Sequence, residues 1–238
     1  MATVCSKSLN LCLNFALLFV RTCHAWAGHY SPPPIESKNP SMSAIFLKRF
    51  FKNPFQVASI VPSSKTLIRR VSDKMDHSVP RVIAEYGPGE GCHTREIAKR
   101  MHRDSKLLLF ELDKELSEHL KVQFADDSRV SVHNLDCAQL PEVLADKGIQ
   151  HCDYVVSGIP FSILEKTKKR EILEKTHAVL APKDHSAFII YQVTNELRTR
   201  GHCDHFGKAE SEYCLVNLPP MFVTKFYKNG TNGANGSQ

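Results

Sequence analysis

Short apolar runs alternate with amphipathic segments through most of the chain beyond residue 80. The apolar runs have the length of strands and predict strands near residues 81–85, 106–111, 129–133, 153–157 and 186–193. The segments between them predict helices near residues 93–103, 114–125, 139–146 and 165–180. This alternation is typical of a parallel sheet that is covered by helices on both faces, so we expect an α/β fold.

The two flanks of the alternating region carry signals of their own. After it, residues 212–218 and 221–227 predict a closing antiparallel pair of strands. Before it, residues 44–52 predict a short amphipathic helix, and residues 63–75 predict a second helix that Ser63-Ser64 caps.

Composition shifts divide the chain into three parts. Residues 1–40 form a leader with a proline-rich linker, residues 41–228 form the domain, and the Gly/Asn-rich residues 229–238 predict a disordered tail. The apolar run 9–20 is too short to span a bilayer as a helix. The leader is therefore a membrane-associating or disordered segment, a targeting peptide, or a helix that packs on the domain.

Charge and cysteine usage narrow the set of partners. The formal net charge is +6, which favours an anionic partner, either a membrane surface or a nucleic acid. The eight cysteines include no Cys-x-x-Cys pair, so we expect reduced thiols and no zinc site. The histidines follow no metal-ligand spacing, and we expect surface or packing roles for His93, His102, His119 and His133. No metal is predicted.

Candidate chemistry begins where the first predicted strand ends. Glu85 and Tyr86 lead into a turn with three glycines, namely Gly87, Gly89 and Gly91. Glycine allows a sharp turn and a close approach of the backbone to a ligand, although a plain strand-to-helix loop is the alternative. Glu111 follows the second strand 26 residues after Glu85, and an acid there suits the hydroxyls of a ribose. The pattern predicts a nucleoside cofactor.

The same turn indicates which cofactor is bound. It has no Gly-Lys-Ser/Thr, so a nucleoside-triphosphate loop is excluded. Glu85 and Glu90 would repel a diphosphate, whereas they favour a cation such as a sulfonium or an amino group. Glu-x-Gly-x-Gly-x-Gly resembles motif I of the class I S-adenosylmethionine (SAM)-dependent methyltransferases. That resemblance implies SAM as cofactor, S-adenosylhomocysteine as product, and Glu111 with Leu112 at the ribose.

The third and fourth strands extend this resemblance. It implies that Asp136 and Cys137 hold the adenine, with a helix-capping aspartate as the alternative. It also implies that the loop after the fourth strand lies beside the reactive methyl group, with a plain turn as the alternative; its residues are Ser157, Gly158, Pro160 and Phe161. Ser157 and Gly158 replace the Asn/Asp-Pro that related base N-methyltransferases carry, which counts against methylation of a nucleic-acid base.

A basic block precedes the sheet. Residues 45–74 contain seven lysines and arginines against one acid, and phenylalanines alternate with the first three cations. This combination suits a helix at a lipid interface, although phenylalanines packed on the sheet beside solvated lysines are the alternative. The candidates for contact with lipid are Lys48, Arg49, Phe51, Lys52, Ser63 and Ser64. Ser63-Ser64 at a helix start could hold a lipid phosphate.

Taken together, these motifs resemble the bacterial phospholipid N-methyltransferases, which are related to the rRNA adenine dimethylases. The resemblance covers about residues 44–228 and implies a Rossmann-like, seven-stranded, mostly parallel sheet with one antiparallel strand. It implies methylation of phosphatidylethanolamine by a cytoplasmic enzyme at the membrane periphery. Asn195 replaces a tyrosine of the family, and Tyr191 is the candidate substitute. RNA methylation and a non-catalytic SAM-binding module at a membrane are the alternatives, and export through the leader is the alternative location.

Overall fold

One seven-stranded sheet organises the computed structural model, which describes residues 63–199, 206–217 and 219–228. All of these residues lie in one compact unit. The strands are β1 (Val82–Tyr86), β2 (Lys106–Phe110), β3 (Val130–His133), β4 (Tyr154–Ser157), β5 (Ala187–Gln192), β6 (Ala209–Cys214) and β7 (Met221–Tyr227). The helices are α1 (Lys65–Ser72), α2 (Cys92–Arg100), α3 (Lys114–Gln123), α4 (Leu140–Asp146), α5 (Lys166–Val179) and α6 (Glu196–Thr199).

The strand order is β3-β2-β1-β4-β5-β7-β6. Strands β1 to β5 pair in parallel, whereas β7 is antiparallel to both of its neighbours. The predicted mostly parallel sheet with one antiparallel strand is therefore confirmed. The carboxyl ends of β1, β2 and β4 lie side by side, because Tyr86 is in register with both Phe110 and Ser157. Loops that follow these strands meet at one edge of the sheet.

The sheet has an apolar core on each face, as parallel strands require. Ile83 of β1 packs with Leu67 and Val71 of α1 on one face. Ala84, the next residue along, belongs to the other core, together with Leu173 of α5. Successive side chains of a strand point to opposite faces, so β1 contributes to both cores.

Most predicted elements agree with the structure to within a few residues. Ser64 caps α1 as expected, and its hydroxyl accepts a hydrogen bond from the Leu67 amide at 3.1 Å. Strand β6 begins at Ala209, three residues before the predicted start, and α6 was not predicted from the sequence. The candidate helix 44–52, the leader 1–40 and the tail 229–238 lie outside the described residues, and so do Lys48, Arg49, Phe51 and Lys52.

Within the described residues, no helix is long and apolar enough to cross a bilayer. The four cysteines described are free thiols: Cys92, Cys137, Cys152 and Cys214.

Candidate cofactor and acceptor site

The turn after β1 depends on glycine. Gly87, Gly89 and Gly91 have φ angles of 64°, 58° and 75°, which side chains with a Cβ rarely adopt. The Gly87 amide donates a hydrogen bond to the Phe110 carbonyl at 2.9 Å, which ties the turn to β2. A Cβ on Gly87 would lie 3.2 Å from Cγ1 of Ile159 in the loop after β4. The turn is thus close to both neighbouring loops of the sheet edge.

Gly91 has a packing role that the sequence did not predict, and its contact with the cofactor stays a prediction. A Cβ there would lie 3.0 Å from Leu120 Cδ2 and 3.2 Å from Gln123 Nε2, both on α3. The residue therefore allows α2 and α3 to pack closely. The Tyr86 side chain also points away from the turn, because it is buried in the core and its hydroxyl hydrogen-bonds Thr176 at 3.1 Å. Of Tyr86, therefore, the backbone and not the side chain is available to a ligand at the turn.

Glu85 is a fully buried carboxylate at the tip of β1. Its Oε2 accepts a hydrogen bond from the Thr94 hydroxyl at 2.7 Å, whereas its Oε1 has no hydrogen-bond partner among the described residues. Burial, with a smaller contribution from the charge of Glu111, raises the pKa of Glu85 to about 7. A buried carboxylate oxygen without a partner is costly unless a ligand supplies one.

Glu111 lies beside this carboxylate at the end of β2. It accepts hydrogen bonds from the Gly89 amide at 3.1 Å and from the Asp113 amide at 3.0 Å. Asn134, after β3, donates to the backbone carbonyl oxygens of Glu111 and Leu112 and so fixes the exit of β2. The Leu112 side chain is exposed next to the acid. An apolar surface beside an acid suits a nucleoside.

These observations fit SAM. Two carboxylates at adjacent strand tips favour a positively charged ligand, and the free oxygen of Glu85 can accept a hydrogen bond from an amino group. Glu85 and the backbone of the glycine turn would hold the methionyl part of SAM. Glu111 would hold the ribose.

Asp136 has the hydrogen bonds of a capping aspartate, which is the alternative to adenine recognition. Its Oδ1 accepts a hydrogen bond from the Ala138 amide at 2.8 Å and caps a 3-10 turn, and its Oδ2 pairs with Lys168 at 2.8 Å. The Cys137 side chain is buried, and burial raises the pKa of its thiol to about 12. The Cys137 side chain thus has little exposed surface to offer a ligand, and the roles of Asp136 and of the Cys137 backbone in adenine recognition stay predictions.

Two predicted site residues of the loop after β4 have buried side chains. Ser157 is fully buried and its hydroxyl accepts a hydrogen bond from the Ile159 amide at 3.2 Å, so its side chain does not face a substrate, whereas a role of its backbone carbonyl stays a prediction. Phe161 is also fully buried and packs edge-to-face on Phe188, with ring centroids 6.0 Å apart. An aromatic side chain gains more from the core than from the solvent-facing loop. Gly158 and Pro160, in contrast, line a pocket.

This pocket is an open depression at the carboxyl edge of the sheet, and its volume of about 280 Å³ includes open solvent. It lies between the loop after β4 and the end of β5. The residues that line it are Gly158, Pro160, Ser162, Tyr191, Gln192, Val193, Thr194 and Met221. It adjoins the cofactor turn, because the Gly158 amide donates to the Tyr86 carbonyl at 3.1 Å. We call it the acceptor pocket.

Tyr191 lines the acceptor pocket. The phospholipid N-methyltransferases that the sequence resembles carry a tyrosine four residues later, at the position of Asn195. Asn195 accepts a hydrogen bond from the Thr224 hydroxyl at 3.3 Å, on the β7 side. The Tyr191 ring stacks on His93 of α2, with centroids 4.1 Å apart. His93 is buried and hydrogen-bonds Ser63 at 2.9 Å. The expectation of a packing role for His93 is therefore confirmed, and the packing is at the site.

The two serines before α1 have partners within the protein. The Ser64 amide donates to Asn217 Oδ1 at 2.8 Å, which joins α1 to the turn between β6 and β7. The Ser63 hydroxyl bonds His93. A phosphate is therefore not held by the Ser64 amide as predicted. Part of the basic block is also neutralised, since Arg70 and Lys74 pair with Glu212 at 3.7 and 3.2 Å.

Five residues of the site were not singled out as functional from the sequence. Two of them carried a local signal, because Thr94 follows the strand that carries Glu85 and Asn134 lies two residues before Asp136. The others, His93, Gln192 and Asn217, reach the site through contacts between distant segments. Such contacts leave no periodic pattern in the sequence.

The fold and the cofactor site define a class I SAM-dependent methyltransferase. The chain belongs to the family described as "Ribosomal RNA adenine dimethylase", which matches residues 48–198. Together with the relatives below, this family makes the chain an N-methyltransferase that uses SAM.

Two curated relatives have different stated substrates. An ornithine lipid N-methyltransferase of Singulisphaera acidiphila is 34% identical over 58% of this chain and 72% of its own length. A ribosomal RNA small subunit methyltransferase A of Mycoplasma mycoides subsp. mycoides is 32% identical over 68% of this chain and 56% of its own length. The chain thus spans only about half of the ribosomal RNA enzyme.

Solved structures support the fold at low sequence identity. A precorrin-6y C5,15-methyltransferase of Geobacter metallireducens superposes with a TM-score of 0.54 at 15% identity and covers 69% of this chain and 89% of its own.

Proposed function

We propose that this protein methylates the primary amine of an aminolipid at a membrane surface, with phosphatidylethanolamine as the acceptor. The observation that carries the proposal is a rim of exposed aliphatic side chains around the acceptor pocket. A water-soluble substrate needs no such rim, whereas a lipid headgroup can reach the pocket only if the protein touches the bilayer.

The rim consists of Ile163, Val193, Leu215 and Val216, which are all exposed. Leu215 and Val216 lie in the turn between β6 and β7 and are 71% and 69% exposed. Cys214 pairs with Met221, a residue of the pocket wall, so this turn projects from the pocket edge of the sheet. Val193 lines the pocket itself, and Ile163 follows the lining residue Ser162. The four exposed aliphatic side chains therefore belong to segments that border the pocket.

Basic side chains flank this rim. Lys65, the first residue of α1, is exposed, and its neighbour Ser64 is joined to the β6–β7 turn by Asn217. Arg198 of α6 is exposed a few residues after the pocket wall of β5. Cations beside inserted aliphatic side chains favour an anionic bilayer, at about 1 kcal/mol for each cation near the surface. We propose a cytoplasmic protein that binds the membrane peripherally.

The named lipid methyltransferase among the relatives supports an aminolipid acceptor. SAM would supply an electrophilic methyl group. The lone pair of a neutral amine would form the new C–N bond as the C–S electron pair returned to sulfur, which would leave S-adenosylhomocysteine and a methylated ammonium. The amine first releases its proton to water. The chain contributes position: the Gly158 and Pro160 backbone walls the pocket next to the glycine turn.

Methylation of RNA adenine is the second candidate. The family match and the ribosomal RNA relative favour it. The buried Phe161 weighs against it, because stacking on an extruded base requires an exposed aromatic ring.

Labelled SAM tests the two candidates. The purified protein is supplied with anionic vesicles that contain phosphatidylethanolamine, with vesicles that contain ornithine lipid, or with small-subunit ribosomal RNA. We expect label in the lipid fraction and none in the RNA. Label only in the ornithine lipid would mean that this lipid, and not phosphatidylethanolamine, is the acceptor. Label only in the RNA would refute the lipid proposal. No transfer at all, with binding of S-adenosylhomocysteine intact, would favour a non-catalytic module.

The rim gives a separate prediction. Leu215→Asp with Val216→Asp should lower binding to anionic vesicles at least tenfold in a sedimentation assay, because two aliphatic groups that would enter the bilayer are lost and two negative charges are added. Val122→Asp is the matched control, since Val122 is 78% exposed near the end of α3, toward the opposite edge of the sheet. Equal losses in both proteins would contradict the assignment of the rim. Affinity for S-adenosylhomocysteine should be unchanged in all variants.

A further inference from the structure

Thr94 is a fully buried threonine in the first turn of α2, directly after the glycine turn. Its hydroxyl donates a hydrogen bond to Oε2 of Glu85 at 2.7 Å. Within the described residues, this is the one hydrogen bond that the Glu85 carboxyl group makes. The bond therefore joins α2 to the tip of β1 beside the turn that would hold the methionyl part of SAM.

This bond makes the two oxygens of Glu85 unequal. Oε2 is held by Thr94, whereas Oε1 has no hydrogen-bond partner in the described part of the chain. A carboxyl group without the bond could turn about its last side-chain torsion, which is a soft one. The hydroxyl fixes this torsion, so the same oxygen is always the one left for a ligand.

The charged groups around Glu85 come from β2 and α2. Glu85 points to the face of the sheet that α1 and α2 cover, because it lies two residues after Ile83 of that core. Glu111 at the end of β2 adds a second negative charge, and Arg95 of α2 adds a positive one. The Arg95 side chain is exposed and donates to the Glu90 carbonyl at 2.8 Å. Among the described residues, Glu85 thus has no cationic hydrogen-bond partner.

Neutral groups complete the surroundings of Glu85 on this face. Burial raises the pKa of the Tyr191 hydroxyl well above its ordinary value, with the charges of Glu85 and of Cys92 as further causes. Tyr191 borders the loop after β4, since a Cβ on Gly158 would lie 2.8 Å from Tyr191 Cζ. His93 stacks on the tyrosine ring at 4.1 Å, and burial lowers its pKa to about 3. Both rings are uncharged at neutral pH, so neither compensates the charge of Glu85.

We propose that Thr94 is a positioning residue of the cofactor site. Its hydroxyl keeps the Glu85 carboxyl group ionised and oriented so that Oε1 meets the amino group of SAM. Thr94 itself does not contact SAM in this arrangement and acts through Glu85. The inference rests on SAM as the cofactor, which the proposed function also requires, and it holds equally for a lipid acceptor and for RNA.

Burial and Thr94 act on Glu85 in opposite directions. Burial raises the pKa of Glu85 to about 7, and the hydrogen bond from Thr94 is the largest effect that lowers it. A bond donated to a carboxylate favours the charged form. Without the hydroxyl, the carboxyl group would keep its proton to a higher pH. The amino group of SAM would then meet a neutral oxygen instead of an anion.

Thr94→Val removes the hydroxyl and keeps the size and branching of the side chain. We expect the titration midpoint of Glu85 to rise by about one pH unit, because the charged form loses its hydrogen bond. The midpoint is measured in the unbound protein by carbon-13 NMR of labelled glutamate side chains, with Glu85→Gln to assign the signal. Thr94→Ser keeps the donor and should stay within about 0.3 pH units of wild type.

Binding of S-adenosylhomocysteine gives a second readout by calorimetry. Thr94→Val should bind it about tenfold more weakly than wild type at pH 6, and within about twofold of wild type at pH 9, where both carboxyl groups are ionised. The ratio of variant to wild type cancels the ionisation of the ligand's own amino group. A loss of packing alone would weaken binding by the same factor at each pH.

Thr176→Val is the matched control. Thr176 is also fully buried, and its hydroxyl bonds the hydroxyl of Tyr86, which belongs to the core on the other face of the sheet. Its replacement removes a buried hydroxyl of the same kind away from Glu85. The titration midpoint of Glu85 and the pH dependence of binding should both equal those of wild type.

The outcomes separate this inference from the proposed function. If the midpoint of Glu85 is the same in Thr94→Val and wild type, or if binding weakens equally at pH 6 and pH 9, the inference is wrong and the proposed function stands. If the expected shifts are found but the wild type methylates neither lipid nor RNA, the inference stands and the proposed function is wrong. A folded wild type that does not bind S-adenosylhomocysteine would overturn both.

Discussion

Glu85→Gln is expected to weaken binding of S-adenosylhomocysteine about a hundredfold at pH 8, measured by calorimetry. The wild-type carboxylate is fully buried and one of its oxygens has no partner in the described part of the chain, so a bound amino group gains a strong charged hydrogen bond there. Removing one partner of a buried charge pair costs about 2–5 kcal/mol. The glutamine is nearly the same size and can still accept the Thr94 hydroxyl. The loss of affinity therefore reports on charge.

The same carboxyl makes binding depend on pH. Burial raises its pKa to about 7 in the unbound protein, and a positively charged ligand favours the ionised form. Affinity should fall as the pH decreases through 7, by roughly tenfold between pH 8 and pH 6, because the ionised fraction falls by that factor. Glu85→Gln should show no such slope in this range. A wild-type slope that persists in the variant would assign the titration to another group.

Stability measurements on the unbound variant test whether misfolding, instead of the lost charge, causes the weaker binding. The folded-state pKa of Glu85 lies above its ordinary value of 4.5, so ionisation opposes folding increasingly as the pH rises from 4.5 to about 7. Glu85→Gln removes this penalty of up to about 3 kcal/mol. The unbound variant should therefore be at least as stable as wild type at pH 8. Glu90→Gln, in the same turn, is the charge-matched control and should weaken binding less than threefold.

The sequence predicts the cofactor half of this site better than the acceptor half. Glu85 and Glu111 each end an apolar run, and parallel strands bring their carboxyl ends to one edge of the sheet. Their proximity therefore follows from the order of elements alone. The sheet could be predicted for the same reason, since each strand is a short apolar run between helices.

The acceptor half depends on side-chain directions that periodicity does not fix. Phe161 and Tyr191 are both aromatic residues near strand ends, but the former fills the core and the latter lines the pocket. What decides this is the missing side chain of Gly158, 33 residues from Tyr191, together with the stacking partner His93. These contacts join segments that are distant in sequence, so neither residue alone indicates its role.

The last glycine of the turn after β1 affects the stability of the fold. Gly91→Ala is expected to lower the free energy of unfolding by about 2–5 kcal/mol. A Cβ at φ 75° costs about 1–2 kcal/mol, and its contact at 3.0 Å with Leu120 adds about 1–3 kcal/mol of overpacking. The melting temperature of the unbound protein should fall by roughly 5–15 °C in a calorimetric scan.

Gly148→Ala is the matched control, because Gly148 has a similar φ of 64° but, among residues 63–199, 206–217 and 219–228, no atom lies within 4 Å of the added methyl group. It should cost only about 1 kcal/mol, from backbone strain alone. In a Leu120→Val background, which removes the closest atom, the cost of Gly91→Ala should fall toward that of Gly148→Ala. If Gly91→Ala and Gly148→Ala lower the free energy of unfolding equally in the wild-type background, Gly91 is required for its backbone conformation alone. In that case α2 and α3 have room for a methyl group between them.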